Sequence, residues 1–428
     1  MNKDKVLIIS HGHPAQSKGG AEIAAYNLYK ELRSRDIDAM FLARSDRPSH
    51  GGSVFSTLGD EREILFHTGM NDFFNFTSNN KKHVWNDFRK LLESYRPDIV
   101  HFHHYSHMGL ELIRVARNVL PEARIVLTLH EFLAICHHNG QMIKNGNGKA
   151  RLCYKSSPTE CADCFPQFSA GDFFLRKKYI QSFFDLVDVF ISPSHFLQER
   201  YVEWGIPEDR IVMIENGQPA APALEPRKLV NDDVRGRFAF FGQINPYKGI
   251  DVLLEAFRKL PYKYRKQAQL NIYGSGLEMQ HPDFQERINS LIEELGDACT
   301  YHGMYEPQQL DRLLMEADWV IVPSIWWENS PMVIQEAFNH RRPLIVSDIG
   351  GMAEKVEDGQ TGMHFRSSDP DALSIAIQSS MENGIWEKMA NNIKRPVSAG
   401  ECADMHLDVY QQQGAPSNDM LVKRATNY

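Results

Sequence analysis

Short apolar, β-branched runs alternate with amphipathic stretches along almost the whole chain, and this alternation limits the possible folds more than any other feature. Val6–Ser10, Ile99–His103, Ile125–Leu129 and Val189–Ser192 read as buried strands. Between the first two, Ala21, Ala24, Ala25, Leu28 and Leu32 recur at helical spacing within Ala21–Arg35. Strands that alternate with helices imply parallel sheets with crossover helices, so residues 1–217 read as one doubly wound α/β domain. Residues 218–236 read as a linker, because Gln218 to Pro226 holds three prolines and no periodicity. The alternation then restarts. Phe238–Phe241 is a strand, Ile250, Leu253, Leu254 and Phe257 mark a helix, and further strands follow at Leu270–Tyr273, Trp319–Val322 and Leu344–Ser347. A second α/β domain is expected over 237–395, and 396–428 is expected as a tail packing back on the first. Ligands of such sheets bind beyond the carboxyl ends of the strands.

Composition narrows the classes of function. Of 428 residues, 55 are acidic and 47 basic, and the net charge of -8 argues against a broad nucleic-acid surface. No apolar run approaches the roughly 20 residues that span a bilayer. Only five residues precede the first strand, too few for a signal peptide. The expectation is a cytoplasmic protein, at most peripheral to the inner face of the plasma membrane. Phe73, Phe74 and Phe76 beside Lys81 and Lys82 either line an acceptor or membrane-facing edge or pack inward, and inward packing is favoured.

Several segments place chemistry at strand ends. Gly19-Gly20-Ala21-Glu22 opens the first helix, where glycines permit close approach of a ligand or simply make the turn. Phe241-Gly242-Gln243 ends a strand, and Lys248 stands at the next helix start, either facing a phosphate or solvated. Tyr273-Gly274-Ser275-Gly276 is a second glycine-bearing strand end. In the segment from Pro323 to Ala337, Ser330 is expected as an N-cap with Pro331 at the first helical position. Glu328 then precedes the helix and Glu336 lies within it. Carboxylates there suit paired sugar or ribose hydroxyls, or are ordinary surface and helix acids.

The spacing of Glu328 and Glu336 resembles the E-x7-E motif of family 4 of the retaining GT-B glycosyltransferases. Gly19-Gly20-Ala21-Glu22, Asp98 to His103, Thr128-Leu129-His130-Glu131, Ser192-Pro193-Ser194, Glu215-Asn216-Gly217 and Ser347 to Gly351 with Glu354 resemble further segments of that family, in order. The resemblance spans roughly residues 5–385. It implies two Rossmann-like domains facing each other across a cleft, and a nucleotide-sugar donor without a catalytic metal. By the same resemblance Lys248 would neutralise the donor diphosphate, Gly274 and Gly276 would lie by the nucleotide, and Glu336 would bind the ribose. Glu328 would contact the transferred sugar, with Asn329, Ser330, Met332 and Val333 around its oxygens. Gly19 and Gly20 would approach the diphosphate, and His130 would stand beside sugar and acceptor. The acceptor implied is a saccharide or lipid-linked saccharide of a cell-surface polysaccharide. Gln243 departs from the family, where many members carry Arg; either Arg237 or another cation compensates, or donor affinity is lower. Two rival readings are a GT-B nucleotide-sugar epimerase and a non-catalytic glycosyltransferase-like partner subunit.

Cys136, Cys153, Cys161 and Cys164 fall close together and end in a C-x-x-C pair. Four thiolates would close a structural tetrahedral zinc site, with His137 and His138 as substitutes for one ligand. The polar, glycine-rich stretch 144–149 between them makes such a staple valuable. A subset of the resembled family carries similar cysteines. His101, His103, His104 and His107 have no carboxylate to complete a ligand set and read as edge or core histidines.

Overall fold

The computed structural model describes residues 4–17, 19–47, 53–78, 81–144, 151–219, 221, 224–230 and 233–411. The stretch 145–149 and most of the expected tail, 412–428, lie outside the described residues. The chain divides into two compact units, one of residues up to Pro219 together with those from Val397 onward, the other of Ala220–Pro396.

The first unit is built on an eight-stranded sheet. Its strands are β1 (Val6–Ser10), β2 (Ala39–Ser45), β3 (Phe55–Leu58), β4 (Asp60–His67), β7 (Ile99–Phe102), β8 (Arg124–Thr128), β11 (Val189–Ser192) and β12 (Ile211–Met213). They lie in the order β12-β11-β8-β7-β1-β2-β4-β3, parallel throughout except where β3 runs against β4. Two small hairpins, β5 (Met70–Asp72) with β6 (Thr77–Ser78) and β9 (Ile143–Lys144) with β10 (Arg151–Leu152), stand apart from it. The central strands are buried on both faces, which is why they read as continuous apolar runs rather than alternating ones. A helix over Ala399–Gln411, absent from the sequence reading, puts Cys402, Ala403, Val409 and Tyr410 into this core beside Ala25, Leu28 and Leu32 of the Gly20–Ser34 helix.

The second unit holds six parallel strands: β13 (Arg237–Phe241), β14 (Gln269–Tyr273), β15 (Cys299–Gly303), β16 (Trp319–Val322), β17 (Leu344–Ser347) and β18 (Gly362–Phe365). Their order, β15-β14-β13-β16-β17-β18, reverses direction between β13 and β16. That reversal is the switch point at which the loops on either side diverge and leave a crevice. Trp319, Phe238 and Phe257 fill one core face and Val320, Leu344 and Ile334 the other. Among the described residues no helix is long and apolar enough to cross a membrane.

Candidate active site

In the second unit, the loops after β13, β16 and β17 are drawn together at the switch point. Asn245 accepts hydrogen bonds from the backbone N–H groups of Tyr247 and Lys248 at 3.0 and 3.1 Å, which winds Pro246–Lys248 into a single 3-10 turn. Gly249 follows at φ 68°, and a Cβ there would lie 2.0 Å from the Pro323 carbonyl oxygen. Only glycine combines that backbone angle with that approach. The Ile325 N–H then donates to the Tyr247 carbonyl at 2.9 Å. On the other side, the Gly351 N–H donates to the Glu328 carbonyl at 2.8 Å, and a Cβ at Gly351 would sit 1.6 Å from the Asn329 oxygen. The backbone around Glu328 is therefore fixed from two sides before its side chain makes any contact.

The Glu328 side chain is buried and receives three donors on one oxygen. Lys248 Nζ donates to Oε1 at 2.6 Å, Ser324 Oγ at 2.8 Å and Trp326 Nε1 at 2.8 Å. No donor reaches Oε2 among the described residues. Burial works to raise this carboxyl, but the Lys248 charge and the three hydrogen bonds outweigh it and hold the group below its ordinary value. Lys248, partly exposed, also lies 5.7 Å from the Trp326 ring centroid, and the Tyr247 ring stacks on Trp326 at 5.8 Å.

Glu336 stands on the Met332–Asn339 helix in a different state. Burial pushes its carboxyl up to about 7, and it accepts no hydrogen bond among the described residues. Its charge is felt by the Tyr305 hydroxyl, which burial and Glu336 together raise. A half-buried carboxylate without donors is costly unless a ligand supplies them.

Two expectations need correction. Ser330 does not cap the helix. The cap position belongs to Pro331, whose ψ of 116° keeps it extended, so the helix starts one residue later at Met332 with no side-chain cap. Ser330 Oγ is instead buried without a partner among the described residues. Arg237 cannot replace the missing arginine at Gln243: it opens β13 while Gln243 follows its far end, roughly 20 Å along an extended chain. Gln243 itself is exposed. Gly274 and Gly276 follow β14, where a Cβ at Gly274 would meet the Gly242 oxygen at 1.8 Å and Gly276 has φ 103°. Asn329 is buried beside Glu328, and Met332 and Val333 form the first turn of the helix.

Gly19, Gly20 and His130 belong to the first unit. Gly20 is the first residue of its helix, and the space a Gly19 Cβ would take is held by the Glu22 carboxylate, 2.2 Å away. Ser17 Oγ donates to Glu22 at 2.7 Å. His130 follows β8, with Nε2 3.1 Å from His103 Nδ1. His103 packs on His101 at 4.2 Å, and His101 lies between Thr128 Oγ1 and the Tyr410 hydroxyl, both at 2.7 Å. Burial, then the neighbouring histidines, lower His130 to about 3 and take His101 and His103 well below their ordinary value. All three are neutral near pH 7. His104 bonds to Glu131 and packs, tilted, against the His11 ring with centroids 4.1 Å apart.

Cys136, Cys153, Cys161 and Cys164 form no disulfide among the described residues and share one neighbourhood: burial and then Cys136, Cys153 and Cys164 raise Cys161 to about 11. The ligand types suit zinc, yet among the described residues no three His, Cys, Asp or Glu side chains are grouped to hold a metal. Phe76 is buried and Phe74 stacks on Phe168 at 4.1 Å, while Phe73 is 47% exposed. Lys82 is exposed.

Both halves of the chain match family models, Glycosyltransferase Family 4 over residues 18–219 and Glycosyl transferases group 1 over 224–396. The fold is GT-B. Anabaena HepE, solved with UDP and glucose, superposes with a TM-score of 0.64 at 17% identity over 96% of this chain and 100% of that one. Sucrose-phosphate synthase from Thermosynechococcus elongatus gives 0.70 at 16% identity, covering 95% and 98%. Among curated proteins, the chain is 30% identical over 187 residues to a lipopolysaccharide 1,2-N-acetylglucosaminetransferase of Salmonella typhimurium, covering 41% of this chain and 48% of the relative. It is 34% identical over 148 residues to a D-inositol 3-phosphate glycosyltransferase of Nocardia farcinica, covering 32% of each. The matches thus span less than half the length of these curated relatives.

Sequence reasoning missed Trp326 and Ser324. Only the fold buries Trp327 and brings the Trp326 N–H onto Glu328.

Proposed function

We propose that this protein is a retaining glycosyltransferase that moves a sugar from a nucleoside diphosphate sugar, UDP- or GDP-linked, to a hydroxyl of a saccharide or lipid-linked saccharide. The observation that carries the reading is the pairing of a donor-poor Glu336 with the Lys248–Glu328 ion pair beyond the strand ends at the switch point. The UDP-glucose complex of HepE and the lipopolysaccharide relative support it. Cell-surface polysaccharide synthesis is the setting, with at most a peripheral membrane contact.

Each residue then has a task. Glu336 accepts hydrogen bonds from the ribose hydroxyls. Lys248 turns from Glu328 toward the diphosphate and stabilises the negative charge that grows as the anomeric C–O bond breaks. Glu328 keeps Oε2 for hydroxyls of the transferred sugar, and Gly274 and Gly276 lie beside the nucleotide. Ser330, whose hydroxyl has no partner among the described residues, and the backbone near Asn329, Met332 and Val333 hold phosphate or sugar oxygens. Gly19, Gly20 and neutral His130 serve the diphosphate, sugar and acceptor. The acceptor hydroxyl attacks from the face the phosphate leaves, and its proton passes to the departing phosphate oxygen. No catalytic metal enters this scheme; the four cysteines are proposed as a structural zinc element, on ligand type and spacing.

The test is donor consumption followed by proton NMR, using UDP-, GDP-, ADP- and dTDP-sugars. One donor should be hydrolysed slowly without acceptor, releasing sugar first in the donor's anomeric configuration, and Lys248→Ala should abolish this. Folded wild-type protein that consumes none of them sinks the catalytic reading.

A further inference from the structure

We infer that Trp326 is a positioning residue, which holds Glu328 in place while Lys248 is engaged by the donor diphosphate. This rests on the function proposed above. Lys248 cannot serve two anions at full strength. Its Nζ sits 2.6 Å from Glu328 Oε1, and a diphosphate carries more charge than one carboxylate. When the donor draws the ammonium away, a buried carboxylate loses its only charged partner among the described residues. It would then take up a proton or turn in its cavity unless other donors remain.

Two do remain, on the same oxygen. Ser324 Oγ and Trp326 Nε1 both donate to Oε1 at 2.8 Å and flank the place Lys248 vacates. The oxygen thus kept occupied fixes the other one, Oε2, as the acceptor presented to the sugar. Trp326 also acts on Lys248. Its ring face lies 5.7 Å from Nζ, a distance at which a ring attracts a cation, and Tyr247 stacked at 5.8 Å braces the indole. One side chain therefore keeps the carboxylate anionic and limits where the ammonium can go. Ser324 alone does less, because its hydroxyl rotates whereas the indole N–H direction is fixed by the stacked ring. The anchoring is local: the Ile325 N–H bond to Tyr247 and the Pro323 contact with Gly249 place Trp326 over the lysine's own turn.

The experiment compares Trp326→Phe with Trp326→Ala on whichever donor sugar wild type consumes. Phe keeps the ring and the Tyr247 stack but deletes the N–H. It should lower kcat about tenfold, the worth of one hydrogen bond to a charged group, while donor KM stays within about twofold. The acid limb of its pH–kcat profile should move up by about one unit, since Glu328 protonates more readily. Ala should show the same shifted limb and in addition a raised KM, as Lys248 loses its ring. A Phe variant with unchanged kcat and acid limb, or one that changes KM alone, overturns the inference. A 13C NMR titration of the glutamate carboxyls, with Glu328 assigned through Glu328→Gln, separates this failure from failure of the proposed function. If wild type consumes no donor, the function falls and the titration decides the positioning role by itself. An upward shift of Glu328 in Trp326→Phe supports it, and superposable curves overturn it.

Discussion

Replacing Glu336 by Gln should make the ligand-free protein more stable and at the same time cripple its nucleotide binding. Burial holds the Glu336 carboxyl at about 7 against an ordinary 4.5, and each unit of such a shift is worth about 1.4 kcal/mol. Below pH 4.5 the group is protonated in both folded and unfolded chains and contributes nothing. Between 4.5 and about 7 the unfolded chain releases its proton while the folded chain keeps it, so stability falls as pH rises. Above 7 the full penalty of about 3 kcal/mol is in place. Glutamine carries no charge and escapes it. At pH 8 the variant should therefore be about 3 kcal/mol more stable, a rise of roughly 5–10 °C in Tm for a unit of this size, and at pH 4 the two should coincide. Urea unfolding and calorimetry at both pH values read this out. Binding should move the other way. If the carboxylate accepts the ribose hydroxyls, wild-type affinity for the nucleoside diphosphate should weaken about tenfold per unit below pH 7, and the variant should bind weakly at every pH. A variant no more stable than wild type at pH 8 would show that burial does not penalise the Glu336 carboxylate, and the argument would fall with it.

Three further outcomes are expected. Gly351→Ala places a Cβ 1.6 Å from the Asn329 oxygen, so the loop must move; it should cost about 1–3 kcal/mol in unfolding experiments and most of the donor consumption, and wild-type kinetics would refute the account of that loop. His130, lowered to about 3, is neutral from pH 5 to 8, so His130→Asn should reduce rate without moving the acid limb of the pH profile. A limb that vanishes in this variant would assign it to His130 instead. If the cysteines close a zinc site, the purified protein should hold about one zinc by elemental analysis and lose it in Cys161→Ser, with a lowered Tm. Absence of zinc from protein produced in zinc-replete medium would refute that proposal.

The fold was legible where burial on both faces makes a strand conspicuous. Val6–Ser10, Val189–Ser192, Trp319–Val322 and Leu344–Ser347 coincide with the observed strands to the residue. Many of the remaining strands carry weaker patterns, and β2, β3, β4, β12, β15 and β18 were not foreseen: Asp60–His67 opens with four charged residues and leaves only Ile64-Leu65-Phe66 as an apolar run. The Ala399–Gln411 helix was missed because Cys402, His406 and Tyr410 are among the five side chains that it buries, and such residues do not announce an apolar face. At the site, the residue types and their order were readable while their directions were not. Lys248, Glu328 and Glu336 could be named from sequence, but that the first two form an ion pair and the third is left donor-poor depends on loops 80 residues apart meeting through Gly249 and Gly351. The Ser330 expectation failed for a local reason, since Pro331 stayed extended and took the cap position itself.

The central claim is that the second unit binds the nucleotide of a sugar donor at Lys248, Glu328 and Glu336. Isothermal calorimetry of the folded wild type with UDP, GDP, ADP and dTDP tests it directly. One nucleotide should bind at a ratio of one per chain, with the heat lost in Lys248→Ala and Glu336→Ala. No binding by any of the four, or binding that both variants retain, would contradict the account.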